Sequence, residues 1–123
     1  MNDINKNKKE VGKEGENIAA DFLVNKGFKI IKRNYQYGHG EIDIIADDNG
    51  TLVFVEVKTR LNFEFGEPEY AINTSKIKQI KKIAELYLFD NEIEEANCRF
   101  DVVAVLLRGK SEPQITHYEN AFM

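Results

Sequence analysis

Asp43, Glu56 and Lys58 are the residues of this chain whose types and spacing suit chemistry. Asp43 lies among isoleucines in the run 40–46, while Glu56 and Lys58 interrupt a run, 52–58, otherwise made of Leu, Val and Phe. Side chains two apart on a strand share a face, so one strand spends two same-face positions on opposite charges. Phe54 falls on that same alternation, which makes the face partly apolar. Divalent-metal phosphodiester hydrolysis gives such a pattern a purpose. The reaction needs a nucleophilic water, relief of charge on a pentavalent phosphorus and help for the leaving oxygen. A hard cation held by carboxylates supplies much of this. Asp43 and Glu56 lie thirteen positions apart, and the Val57 carbonyl offers a further oxygen. The Lys58 ammonium suits orienting the attacking water or stabilising the developing negative charge, without binding metal itself.

Each of these residues also has a plainer use. Glu56 and Lys58 read equally as a surface ion pair of small energetic value. Asp43 suits a partner for turn amides near residues 38–40. Glu41 shares a face with Asp43 but also suits a solvated strand start, and is the weaker ligand candidate. Glu16 adds a carboxylate if its helix crosses the open face of the strands, and Glu14 beside it is equally available. His39 sits in a glycine-flanked turn and reads as a loop residue, and His117 has no partner in view. Spacing alone does not separate these readings.

The elements that must position these groups follow from pattern. Residues 1–11 are polar and Lys/Asn-rich and read as a flexible N-terminal tail; residues 12–123 read as a single domain. From Gly15 apolar residues recur at helical spacing (Ile18, Ala19, Phe22, Leu23), and Gly27 supplies a stop. Residues 28–35 and 41–46 read as strands. Asp47-Asp48-Asn49-Gly50 is a strong hairpin signal, so the strand over 51–60 pairs antiparallel with 41–46. Residues 61–73 have no clean period and contain Gly66 and Pro68, which predicts a loop. Thr74 or Ser75 caps a helix to about Phe89, with Ile77, Ile80, Ile83, Ala84 and Tyr87 inward. Lys76, Lys78, Lys81 and Lys82 crowd its start, where the helix dipole disfavours them. Residues 99–107 form a nearly continuous apolar strand, predicted to be central and covered on both faces. Residues 115–118 suit a short last strand. Helix, three strands, helix and strand predict an α/β fold with a mixed sheet flanked by helices.

Composition bounds the rest. The chain has 123 residues, 42% hydrophobic and 31% charged, which is globular composition. Its longest apolar runs, such as 102–107, are far too short to cross a membrane. No apolar segment follows the N-terminal lysines, and the one cysteine, Cys98, has no disulfide or zinc companions. A cytoplasmic location is the simplest expectation. The net charge of −4 argues mildly against a general nucleic-acid binder, but the charge is unevenly placed. Residues 1–40 carry eight Lys/Arg against five acids, and 41–50 carry four acids and no base. A basic surface beside an acidic centre suits a phosphate substrate and a cation.

Asp43 followed by Glu56-Val57-Lys58 resembles the signature of the PD-(D/E)xK, or restriction-endonuclease-like, superfamily. A longer set of segments is similar to the YraN family, small bacterial proteins named mainly as endonucleases. These segments are Gly15-Glu16 with Ala19-Ala20, Gly27, Arg33-Asn34, Gly40-Glu41-Ile42-Asp43 and Phe54 to Arg60, then Phe65-Gly66, Arg99 to Val102 and Asn120-Ala121-Phe122. The likeness runs from about residue 12 onward. It implies an αβββαβ restriction-endonuclease-like core, similar to that of archaeal Holliday-junction resolvases. It also implies that Glu16 is the helix-borne acid, that Asp43, Glu56 and Glu16 bind Mg²⁺ or Mn²⁺, and that Lys58 completes the site. Ile42 stands where the superfamily's name has a proline.

The resemblance therefore implies a Mg/Mn-dependent endonuclease acting on DNA, selecting branched structures by shape, with a homodimer as the working unit. Arg33, Arg60, Lys76 and Lys78 are the candidate phosphate contacts. The alternative is a catalytically weak or inactive nucleic-acid-binding or scaffold module on the same fold, a reading the acidic balance favours.

Overall fold

The computed structural model describes residues 7–61 and 72–122. Along the chain run α1 (Lys8–Asn25), β1 (Lys29–Tyr37), β2 (Gly40–Asp48), β3 (Thr51–Leu61), α2 (Thr74–Asp90), β4 (Asn97–Arg108) and β5 (Ser111–Phe122). The strands form one sheet in the order β1-β2-β3-β4-β5. Pairing is antiparallel except between β3 and β4, which run parallel on either side of α2. The fold is α/β with a mixed sheet flanked by helices, as the element order predicts.

Turn chemistry sets the first half. Asn49 and Gly50 both carry positive φ (49° and 95°) and join β2 to β3, closing the hairpin at Asp48–Thr51. That is the backbone a two-residue primed turn requires. Gly27, at φ 100°, ends α1, and the Phe28 and Gly27 amides bond back to the Leu23 and Val24 carbonyls in a Schellman arrangement.

Alternation along β3 then divides the core between two layers. Val53 and Val55 join Ala19, Ala20 and Leu23 of α1, together with Ile44, Val103 and Val105. Leu52 and Phe54 join Ile80, Ile83, Ala84 and Tyr87 of α2. Two glycines allow close approach of helix and sheet. A Cβ at Gly15 would overlap the Thr59 side chain of β3, so α1 lies directly on that strand. A Cβ at Gly40 would come 2.6 Å from Ile83, which does the same for α2 against β2.

Four expectations need correction. α1 begins at Lys8, inside the predicted tail, because Asn7 and Glu10 form a reciprocal capping box. Asn73, and neither Thr74 nor Ser75, caps α2 by accepting the Lys76 amide at 2.8 Å. β3 is the central strand; β4 is an interior strand between it and β5 and is covered on both faces as expected, buried from Asp101 to Val105. The last strand is long, because it pairs with β4 from Ser111 to Phe122. The predicted loop's Phe65-Gly66 and Pro68 lie outside the described residues, as do residues 1–6 of the predicted tail.

Candidate metal centre

The sheet opens between β2 and β3 beyond Ile44 and Val55, the last pair of their ladder. The next pair in register would be Asp43 with Glu56, and there the strands part. The alternation of β2 slips at the same point. Ile42 packs in the α2 layer and Ile44 in the α1 layer, two neighbours that a regular strand would put on one face. Opposite them, β1 pairs Arg33 with Ile44 and Tyr35 with Ile42, while Asn34 between them has φ 53°. Asn tolerates that left-handed conformation better than most residues.

Into this fork the structure places acids. The Asp43 Oδ2 accepts the Val57 N–H at 2.8 Å, a backbone donor that the interrupted ladder leaves over. Carboxylate oxygens of Glu16, Glu41 and Asp43 lie within 4.8 Å of one another. Glu16 arrives from α1 through the Gly15–Thr59 contact. The Asn34 amide nitrogen donates to Glu16 at 2.8 Å and to Glu41 at 2.7 Å, tying the two acids together. Glu56 stands on the alternation of Phe54, towards α2, and pairs with Lys76 at 3.7 Å. Its other oxygen, Oε1, is buried without a hydrogen-bond partner.

The electrostatics follow from the burial. Desolvation, and after it the negative charge of Glu56, push the Asp43 carboxyl up to about 8. Desolvation also raises Glu56, against the pull of the Lys76 ammonium. Close like charges with little water favour the protonated form. The donor set consists of carboxylate oxygens, which suits a hard divalent cation such as Mg²⁺ or Mn²⁺. Glu56 lies close enough to Asp43 for the two carboxyls to share a proton when no cation is bound, and a bound cation would take that proton's place.

The sequence-predicted residues therefore fall into groups. Glu16 and Asp43 meet directly, and Glu41, the weaker candidate, joins them. Glu56 approaches Asp43 from the α2 side. Lys58 follows Glu56 on the same alternation of β3, opposite Ala104 of β4. Among the proposed phosphate contacts, Lys76 is tied to Glu56, Arg33 bonds to Asn17 at 2.7 Å, Arg60 sits near the end of β3, and Lys78 is exposed on α2. Asn34 had no assigned role in the sequence, although Arg33-Asn34 is one of the segments that resemble the family.

Comparison with known proteins agrees with the extent of the likeness. The model of Uncharacterised protein family UPF0102 matches residues 15–105. A UPF0102 protein of Trichlorobacter lovleyi is 46% identical over 120 residues, spanning 97% of this chain and 94% of its own length. One from Chlorobium phaeobacteroides is 45% identical over 109 residues, with 89% and 86% covered. One from Dictyoglomus turgidum is 44% identical over 117 residues, with 94% and 99% covered. Glu16, Asn34, Glu41, Asp43, Glu56 and Lys58 all lie within the matched stretch, and the chain belongs to Uncharacterised protein family UPF0102.

Proposed function

We propose that this protein is a Mg²⁺- or Mn²⁺-dependent nuclease that hydrolyses phosphodiester bonds in DNA, selecting branched or otherwise non-standard structures. One observation carries the reading. A strand fork gathers the Glu16, Glu41 and Asp43 carboxylates within 4.8 Å, beside a Glu56 oxygen with no partner. When bound, the cation would lower the pKa of a water and neutralise charge at phosphorus. The protein's own groups do the rest. Asp43, Glu16, Glu41 and Glu56 would hold the ion, and Asn34 keeps two of those carboxylates at one spacing. Lys58 orients the attacking water and meets the charge that develops beyond Glu56. Lys76 brings a second ammonium to the same side. No segment resembles a base-reading module, which favours recognition of shape over sequence. A chain of this size grips a large DNA structure best as a homodimer, in the cytoplasm where such DNA is found.

Cleavage of a four-way junction, a flap and a plain duplex with Mn²⁺ tests the proposal. Wild-type protein should cut a branched substrate, and Asp43→Ala should fall at least a hundredfold, the scale of losing a group that organises catalysis. Equal background from both proteins sinks the enzyme reading and leaves the binding-module alternative. Thermal denaturation supplies an independent readout. Mn²⁺ should raise the Tm of wild-type protein by mass action, and the shift should vanish in Asp43→Ala and Glu56→Ala.

A further inference from the structure

Lys8, Lys9 and Lys13 of α1 and Arg33 of β1 wall a groove of about 480 Å³ that Glu16 and Glu41 of the carboxylate cluster also line. Helical spacing produces this wall: Lys9 and Lys13 are four apart, and Lys8, Gly12 and Glu16 follow one another at the same interval. Lys8 and Lys9 in the first turn of the helix oppose its dipole, so their placement there is not a local stabilising choice. Arg33 is anchored through its NH2 to Asn17 at 2.7 Å, while its Nε is buried without a hydrogen-bond partner. Gly12 lines the groove as well, and a Cβ built there meets nothing within 4 Å. Packing does not demand glycine at this position, where it costs the helix about 1 kcal/mol relative to alanine.

We propose that this groove is an anion subsite that seats a backbone phosphate of the substrate strand next to the one at the carboxylate cluster. Lys8, Lys9, Lys13 and Arg33 hold it, and the strand passes over Gly12. The inference rests on the nuclease reading and extends it, assigning the flanking contact to α1 in addition to the Lys76 side.

Binding of a fluorescent 20-nucleotide oligothymidylate, followed by anisotropy across a salt series with Ca²⁺ replacing Mn²⁺, tests it without turnover. The triple variant Lys8→Gln, Lys9→Gln, Lys13→Gln should bind about tenfold more weakly. Its plot of log affinity against log salt should be shallower by about 0.7, since the subsite neutralises one phosphate and each phosphate contact to a single strand contributes about 0.7. Gly12→Leu, which strengthens the helix, should weaken binding with the slope unchanged, because it blocks space without removing charge. Both variants should keep the full Mn²⁺ Tm shift. An unchanged slope in the triple variant overturns the subsite, as does a lost Mn²⁺ shift, which would place the lysines in the metal centre. If the wild type cuts no DNA yet the slope still falls in the variant, the subsite stands and the nuclease reading fails.

Discussion

Asp43 and Asp101 are the two buried aspartates among the described residues, 9% and 0% exposed, and the fold treats them in opposite ways. Asp101, on β4, is surrounded by donors. It accepts from Arg99 at 3.0 and 3.2 Å, from His117 Nε2 at 2.8 Å and from the Asn120 amide at 2.9 Å. Burial alone would raise its carboxyl, but the hydrogen bonds from His117, Arg99 and the Asn120 amide outweigh it and hold the group below the usual range. The network then reaches outward. Arg99 continues to Asp48 at 3.0 Å, and Lys26 Nζ donates to His117 Nδ1 at 2.8 Å, which leaves the ring proton on Nε2. The ends of β2 and α1 are thereby fastened to β4 and β5. Asp43 has one backbone donor and acidic neighbours instead. A satisfied buried charge holds structure together, whereas a crowded and incompletely paired one is where the proposed cation would act.

Breaking the satisfied side should have the largest effect. Asp101→Ala leaves Arg99 and His117 without their shared acceptor and should cost on the order of 3–5 kcal/mol in urea denaturation. A loss under about 1 kcal/mol would dissolve the contrast, since Asp101 would then be no more structural than a surface acid.

Asp43→Asn should act in the other direction. The amide still accepts the Val57 N–H but carries no charge, so in chelator at pH 8 the variant should be more stable by about 2 kcal/mol. It should also lose the Mn²⁺ shift. The signs extend to pH. A raised acid contributes most below its unfolded value near 4 and loses that contribution as pH climbs towards about 8. The depressed Asp101 behaves oppositely, contributing above its unfolded value and losing it as pH falls through the lower folded one. Stability in chelator should therefore fall at both ends of the pH range. Asp43→Asn should make the upper limb, to which the raised Glu56 also contributes, shallower and leave the lower limb unchanged. A variant that also flattens the lower limb would show that the two sites are not independent.

Asn34→Ala removes the amide that ties Glu16 to Glu41. It should weaken Mn²⁺ binding about tenfold by calorimetry, as loss of a group orienting metal ligands does, with little change in metal-free stability. Unchanged affinity would mean that the two glutamates hold their spacing without it.

Much of the scaffold was legible because its signals are local. Asn49-Gly50 announces its turn, Gly27 its helix end, and the alternation through β3 its two faces. The early start of α1 was also written, as Asn7 three residues before Glu10, but Lys8 and Lys9 hid it by extending a polar run. The length of β5 was not legible, since its outer face carries polar residues and its order comes from pairing with β4. The site was readable in part. Asp43 and Glu56 stood out as charges in apolar strands. Glu41 was visible only as the weaker candidate, and Asn34 and the α1 lysines had no assigned role, since ordinary polar residues at a strand start or on a helix acquire a role only beside other elements.

The sequence by itself determined the element order, the hairpin register and the family, because turn residues, side-chain period and long runs of identity act over short stretches of chain. Only the tertiary structure decided which acids meet. Glu16 and Asp43 are far apart along the chain, and their approach depends on α1 lying flat on β3 at Gly15 and on the sheet parting at Asp43. The opposite fates of the two buried aspartates are tertiary as well. Each carboxylate responds to donors and charges within a few ångströms, and those neighbours come from strands and helices that only folding brings alongside.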